Sequence, residues 1–211
     1  MKVVLFGSTG AVGQHLKRDF ESQDISLVNI IRKPSKDTNT GVDTEEVVVD
    51  YNNIESLRIE ADSLYIAIGT TMKKAGSREA FVAVDRDLVI RIAKWGFSQG
   101  IKSVHVISSI GADKNAKGVY LKTKSEMEEQ ISRIGFDEVH IYRPSVLVAE
   151  REGDSRFAEK LSVPFMKLLS HMGGKMKKYQ PITVERVASF MVSRLLKGKD
   201  SIYIYESDQM Q

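Results

Sequence analysis

The first fourteen residues constrain this chain most. Lys2-Val3-Val4-Leu5-Phe6 is a short apolar, largely β-branched run, and Gly7-Ser8-Thr9-Gly10-Ala11-Val12-Gly13 follows it without a spacer. That order predicts a strand, a tight glycine turn and the opening of a helix. Each glycine then has its own role. Gly7 lets the chain turn off the strand, Gly10 lets backbone N–H groups approach a pyrophosphate, and Gly13 lets the helix pack close to the sheet. The helix N-terminus presents free N–H groups and the positive end of its dipole to an anion. The spacing is G-x-x-G-x-x-G and not the general G-x-G-x-x-G, so the placement between a strand and an amphipathic helix carries more weight than the glycines themselves. Ser8, Thr9, Ala11 and Val12, which fill the turn, complete the first part of the expected cofactor-binding set.

Beyond the turn, Val12, Leu16 and Phe20 recur at helical spacing, and Leu27 to Ile31 reads as a second strand ended by Arg32-Lys33-Pro34. In a dinucleotide fold the residue closing this strand meets the adenosine ribose, where an acid suits the 2′-hydroxyl of NAD and a base suits a 2′-phosphate. Arg32 with Lys33 therefore predicts NADP in preference to NAD. Glu46 to Asp50 is a third strand, with Asp50 at its end included in the cofactor set, and Ile54 to Leu57 a short helical turn. Ser63 to Gly69 is a continuous apolar strand, as a central parallel strand should be, and its end at Gly69-Thr70-Thr71 should lie beside the cofactor.

A long helix follows, capped by Ser77, with Phe81, Val84, Leu88, Ile92 and Trp95 on one face. Ser103 to Ser108 is the fifth strand, Val119 to Ile134 a helix, and Val139 to Tyr142 a sixth strand closed by Arg143-Pro144. This alternation predicts an α/β protein, a Rossmann-type doubly wound parallel sheet. Past Ser145 the rhythm loosens: 157–169 reads as a helix interrupted by Pro164, 170–179 as a loop, Thr183 to Leu196 as an amphipathic helix and Ser201 to Tyr205 as a last strand. Residues 146–211 then form a small C-terminal extension on the substrate side, and 1–211 a single NAD(P)-binding domain.

Composition narrows the chemistry. A chain of 211 residues can bury a full core. It has no Cys, which removes disulfides, thiolate metal sites and thiol catalysis. A net charge of +3 is too mild for a nucleic-acid footprint. No apolar run is long enough for a membrane span or a signal peptide, and the expectation is a cytoplasmic protein. Between Arg151 and Gln180, seven basic residues stand against three acidic, a local +4 that suits either a solvated face or an anionic substrate. His15, His105, His140 and His171 show no ligand spacing, so they read as packing or surface residues and no metal is assigned.

Tyr120 and Lys124 lie one helical turn apart and share a face, after the Ser108-Ser109 pair at a strand end. A nearby ammonium favours phenolate, so a Tyr and Lys pair can pass a proton to or from a carbonyl oxygen while hydride moves, with a Ser hydroxyl on the same oxygen.

Gly7, Gly10 and Gly13, the Ser108-Ser109 pair, Tyr120-x-x-x-Lys124 and Tyr142-Arg143-Pro144 together resemble a short-chain dehydrogenase/reductase of the atypical kind. Within it, Gly69-Thr70-Thr71, Ala75-Gly76, Val84-Asp85-Arg86-Asp87 and Ser108 to Lys114 are similar to the Tat-interacting-protein oxidoreductase group. The resemblance implies Tyr120 as proton donor or acceptor, Lys124 on the nicotinamide ribose and Ser109, in preference to Ser108, orienting the substrate. It also adds Arg143 and Pro144 to the cofactor side. One departure is Asp85, which stands where many relatives carry an Asn. The expected activity is an NADP(H)-dependent oxidoreductase acting on a small carbonyl/alcohol pair. The alternatives are a redox-sensing regulatory module that binds the dinucleotide and a protein partner without turnover, or an epimerase/dehydratase.

Overall fold

The computed structural model describes residues 1–23, 25–34, 43–148, 176–195 and 201–211. Seven strands form the central sheet: β1 (Lys2–Phe6), β2 (Ser26–Ile31), β3 (Thr44–Val48), β4 (Ser63–Ile66), β5 (Ser103–Ile107), β6 (Glu138–Arg143) and β9 (Ser201–Glu206). All are parallel, in the order β3-β2-β1-β4-β5-β6-β9. The order reverses between β1 and β4, which opens a crevice at their carboxyl ends. Two short strands, β7 (Leu147–Val148) and β8 (Ile182–Thr183), pair in parallel and bring the chain after β6 back beside its own C-terminal part.

Alternating strand residues feed two cores. Val3 and Leu5 face α1 (Ala11–Ser22) and α6 (Val184–Val192), packing with Leu16, Phe20, Val187 and Met191. Val4 and Phe6 face the other way, against Ile92 and Trp95 of α4 (Val89–Ser98) and Met127 and Ile131 of α5 (Val119–Ser132). Helices thus cover both faces, and the doubly wound expectation is met.

Several elements sit differently from their sequence pattern. The third strand begins at Thr44 and ends at Val48, two residues early, because its N-terminal half pairs with Leu27 and Val28 of β2. The long helix starts with the expected Ser77 cap, whose Oγ accepts from the Ala80 N–H at 3.0 Å, but it is not one regular α-helix. After α2 (Met72–Ala75) come α3 (Arg78–Val82) and a π-helical stretch, Ala83–Leu88, which runs into α4. The wider turn changes the phase, so Asp85 and Val89 are buried while Val84 and Leu88 are only half-buried. Residues 157–169 lie outside the described residues, and of the loop expected over 170–179, Met176–Tyr179 is a 3-10 turn.

Both central histidines are packing residues, as expected, but within a polar seam that the sequence did not announce. Tyr65, His105, His140 and Tyr203 are register neighbours on β4, β5, β6 and β9, and their rings stack, with centroids 4.0, 4.2 and 4.9 Å apart in succession. His105 Nδ1 lies 2.9 Å from the Tyr142 hydroxyl, and His140 bridges the Glu138 carboxylate at 2.8 Å and the Tyr205 hydroxyl at 3.1 Å. Burial, then the neighbouring His140, pushes the His105 pKa well below its ordinary value. Folded His105 therefore stays neutral where the unfolded chain takes up a proton near pH ~6.5, and stability falls as pH drops through that value. Between pH 7.5 and 5.5 this one group should remove about 1.3 kcal/mol. Urea denaturation at the two pH values should show a drop smaller by about that amount in His105→Phe than in the native chain, and an identical drop in both would refute it.

Candidate active site

At the carboxyl ends of β1, β2 and β4 lies a cleft of about 680 Å³. One wall is the glycine turn. Gly7 has φ +91°, and a Cβ there would come within 2.6 Å of the Ala67 carbonyl carbon and 2.8 Å of the Ile68 nitrogen, so the turn lies directly on the chain leaving β4. Gly10 donates its N–H to the Gly7 carbonyl at 2.9 Å and opens α1 in an extended conformation, with no side chain capping the helix. The first N–H groups of α1 are left for a ligand. Gly13 lets α1 pack close, as expected, and its nearest neighbour is the turn directly after β1, where an added Cβ would overlap the Gly7 carbonyl oxygen.

The opposite wall carries the adenosine-side residues. Arg32 and Lys33 line the cleft and are exposed, and the Arg32 guanidinium lies 5.6 Å from the centre of the Tyr51 ring. Tyr51 is half-buried, with its hydroxyl 3.3 Å from the Ile30 carbonyl; burial raises its pKa and Arg32 lowers it. Lys74 reaches the same cleft, and none of the described lining residues is acidic. Asp50 is engaged elsewhere: its carboxylate accepts from the Asn52 N–H at 3.0 Å, capping the 3-10 turn Tyr51–Ser56. Gly69 and Thr70 line the cleft beyond β4, while the Thr71 hydroxyl caps α2 by accepting from the Lys74 N–H at 3.2 Å. Ser8, Thr9 and Gly10 line it too, as do Val84 and Leu88 from the π-helical stretch.

From Thr70 a chain of polar contacts leads to the expected catalytic helix. The Thr70 N–H donates to Asp85 Oδ2 at 2.7 Å, and Asp85 Oδ1 meets Lys124 Nζ at 2.8 Å. Lys124 also donates to the Ile107 carbonyl at 3.4 Å. So Lys124, expected on a ribose, is tied down by a carboxylate, and the departure at Asp85 is where the structure places its counterion. Tyr120, in the first turn of α5, is exposed, with its ring 5.7 Å from that of Phe81. At the end of β5 the Ser108 Oγ is buried without a hydrogen-bond partner among the described residues, whereas the Ser109 hydroxyl donates to the Ile110 carbonyl at 3.3 Å.

Arg143 is held by carboxylates. Its guanidinium grips Glu128 at 2.9 and 2.6 Å and Glu206 at 3.2 Å, joining α5, β6 and the end of β9. Pro144 is buried, and its carbonyl accepts from the Ile110 N–H at 3.0 Å, which fixes the stretch after Ser109. Of the basic residues in 151–180, Lys178 pairs with Glu206 at 3.4 Å, and most of the others lie outside the described residues. A second depression, about 890 Å³ between Glu55, Arg58, Arg91 and Trp95, has Arg91 on Glu55 and on a backbone carbonyl and Arg58 on a backbone carbonyl, and unlike the cleft it is lined by two carboxylates, Glu55 and Glu60.

Sequence reasoning missed Tyr51 and Lys74, and it marked Asp85 as a departure bearing on Lys124 without the direct ion pair that the two make. The pair had a signal. Asp85 falls four residues after Phe81 and four before Val89, on an otherwise apolar stripe, and a carboxylate placed there requires a buried partner.

A glycine turn and an uncapped helix N-terminus at the reversal point of a parallel sheet define a dinucleotide-binding Rossmann protein. The family model for NAD(P)H-binding proteins matches residues 7–197, and the chain belongs to that family. It is 32% identical to the protein HTATIP2 of Rattus norvegicus over 77% of this chain and 69% of that one. It is 27% identical to the mitochondrial protein FMP52 of Candida albicans, covering 100% and 96%. Among solved structures, a chain from Bacillus halodurans provisionally described as a NAD-dependent epimerase/dehydratase superposes with a TM-score of 0.73 at 17% identity, covering 99% and 97%. MoeE5 in complex with UDP-glucose and NAD gives 0.69 at 14%, covering 100% and 79%. These likenesses show the short-chain dehydrogenase/reductase type of fold. The cytoplasmic expectation is corrected, because the FMP52 relatives from three yeasts and moulds are named mitochondrial. Among the described residues no helix is long and apolar enough to cross a membrane.

Proposed function

We propose that this protein is an NADP(H)-dependent oxidoreductase acting on a small carbonyl/alcohol pair, with residues 1–211 working as one dinucleotide-binding unit. The observation that carries the reading is the run from the cleft at Thr70 through Asp85 to Lys124, which joins the cofactor wall to the helix bearing Tyr120. The residues fit the cofactor: α1 presents uncapped N–H groups, and the turn before it packs main chain on main chain, with no room for a Cβ at Gly7 or Gly13. When bound, the dinucleotide would supply hydride to, or accept it from, the carbonyl carbon.

Ser8, Thr9 and Gly10 would hold the pyrophosphate, with Arg32 and Lys33 at a 2′-phosphate. Tyr120 would exchange the proton with the substrate oxygen, Lys124 would hold the ribose end in register, and the Ser108-Ser109 pair would orient that oxygen, with the unpartnered Ser108 hydroxyl as the donor to spare. A small carbonyl compound is the expected ligand, and an anionic one suits the basic residues of 151–180.

The cofactor choice is tested at Arg32. A charge-assisted contact to a 2′-phosphate contributes roughly 1.5 to 3 kcal/mol, a preference of about tenfold to a hundredfold for NADPH over NADH. Fluorescence titrations at fixed salt should show Arg32→Ala weakening NADPH by that factor and leaving NADH nearly unchanged. Equal affinities of the native chain for both dinucleotides would overturn the NADP assignment.

A further inference from the structure

Asp85 and Lys124 keep only 2% and 5% of their side-chain surface exposed. A buried ion pair adds little net stability, because desolvating two charges cancels most of their attraction. Its place beside a ligand cleft therefore points to another use. The charges nearest in sequence do not offset it: Arg86 is committed to Glu126 at 2.6 Å and Asp87 at 2.8 Å. The pair itself is neutral as a unit, with the Thr70 N–H and the Ile107 carbonyl as its uncharged companions.

A dinucleotide with its adenosine end at Arg32 crosses the reversal point of the sheet and puts its other half over the ends of β4 and β5, where this pair lies. That half differs between redox forms by one charge, the oxidised nicotinamide ring being cationic and the reduced ring neutral. A lone ammonium beside it would disfavour the oxidised form, and a lone carboxylate would favour it. We infer that Asp85 is a positioning residue that neutralises Lys124 and so sets the relative affinity of the site for oxidised and reduced dinucleotide. The inference rests on the cofactor reading above. With the pair intact, the cationic oxidised ring meets no uncompensated ammonium, so NADP+ escapes the penalty that Lys124 alone would impose on it.

The test is calorimetric titration of NADP+ and NADPH at pH 7 into the native chain, Asp85→Asn, Lys124→Met and the double variant. Asp85→Asn keeps an acceptor for the Thr70 N–H and leaves the ammonium uncompensated, so NADP+ should weaken relative to NADPH by about tenfold, a conservative factor for a unit charge at an effective dielectric of about 20. Lys124→Met should move the ratio about tenfold the other way, and the double variant should return to within about threefold of the native ratio. A purely structural role would weaken both forms alike, and that result, or shifts of the same sign in the two single variants, overturns the inference. If Asp85→Asn does not fold, Lys124→Met decides alone, since its ratio must move toward the oxidised form. A native chain that binds neither dinucleotide would sink the cofactor reading and this inference together, whereas binding with an unmoved ratio would sink this inference only.

Discussion

Tyr120→Phe is expected to lower turnover by about a hundredfold or more while changing NADPH affinity by less than about threefold. The substitution keeps the ring and removes one hydroxyl. Tyr120 is 40% exposed and its ring meets Phe81 across a tilted contact, so the Phe variant retains the packing and should unfold at the native temperature. What it loses is the hydroxyl to which the proposed function assigns proton exchange with the substrate oxygen. Assays of NADPH oxidation over a panel of small aldehydes and ketones, run beside binding titrations, separate the two quantities. Native turnover in the variant would remove Tyr120 from the chemistry. A native chain that binds NADPH but reduces nothing in a broad panel would instead favour the regulatory module, which needs the dinucleotide cleft and no proton transfer by Tyr120.

The fold was legible where burial is two-sided. β1 and β4 are fully buried but for Lys2, and an uninterrupted apolar run bounded by glycine has few other uses. The edge strand β3 was placed two residues late because its residues are only half-buried or exposed, and its valines mark the apolar end of the segment and not its pairing. The π-helical stretch was illegible in a 3.6-residue template: Val84 and Leu88 fit the apolar face of a regular helix but line the cleft, while Asp85 turns inward to Lys124. The seam of His105, His140, Tyr142 and Tyr205 was hidden for a different reason. Its hydrogen bonds run across strands distant in sequence, and only the register of β5, β6 and β9 brings them together.

At the site, local motifs were readable and long-range partners were not. The glycine turn, Arg32, Gly69 and Thr70 border one cleft because all lie at carboxyl ends of adjacent strands, which the strand order dictates. Arg143 closes β6 at its carboxyl end, yet its guanidinium answers to Glu128 and Glu206, contacts 15 and 63 residues away in sequence. An arginine at a strand end carries no mark of which anion it serves.

Gly13→Ala should have the other large effect, because the methyl group has nowhere to go. Its Cβ would overlap the Gly7 carbonyl oxygen and lie 2.7 Å from the Gly7 carbonyl carbon and 2.9 Å from the Ser8 Cα, all backbone atoms of the turn that forms the cradle. Those atoms cannot rotate away as a side chain would, and Gly7 is itself pressed against the chain leaving β4, so relief requires the start of α1 to lift off the turn. Ala is intrinsically a better helix former than Gly by about 1 kcal/mol, and a purely local view would expect the substitution to stabilise α1. The clash should win, since overpacking against fixed neighbours costs typically about 1 to 3 kcal/mol and here the neighbours are main chain. Lifting α1 also moves its N–H groups from the anion site, so NADPH should bind about a hundredfold more weakly in a chain that still folds, with a melting temperature several degrees lower. Calorimetry and thermal unfolding on Gly13→Ala, with Gly118→Ala as a control at a glycine whose added Cβ meets nothing within 4 Å, measure both. Native affinity and native melting in Gly13→Ala would show that α1 does not rest on the turn and that the phosphate cradle is built some other way.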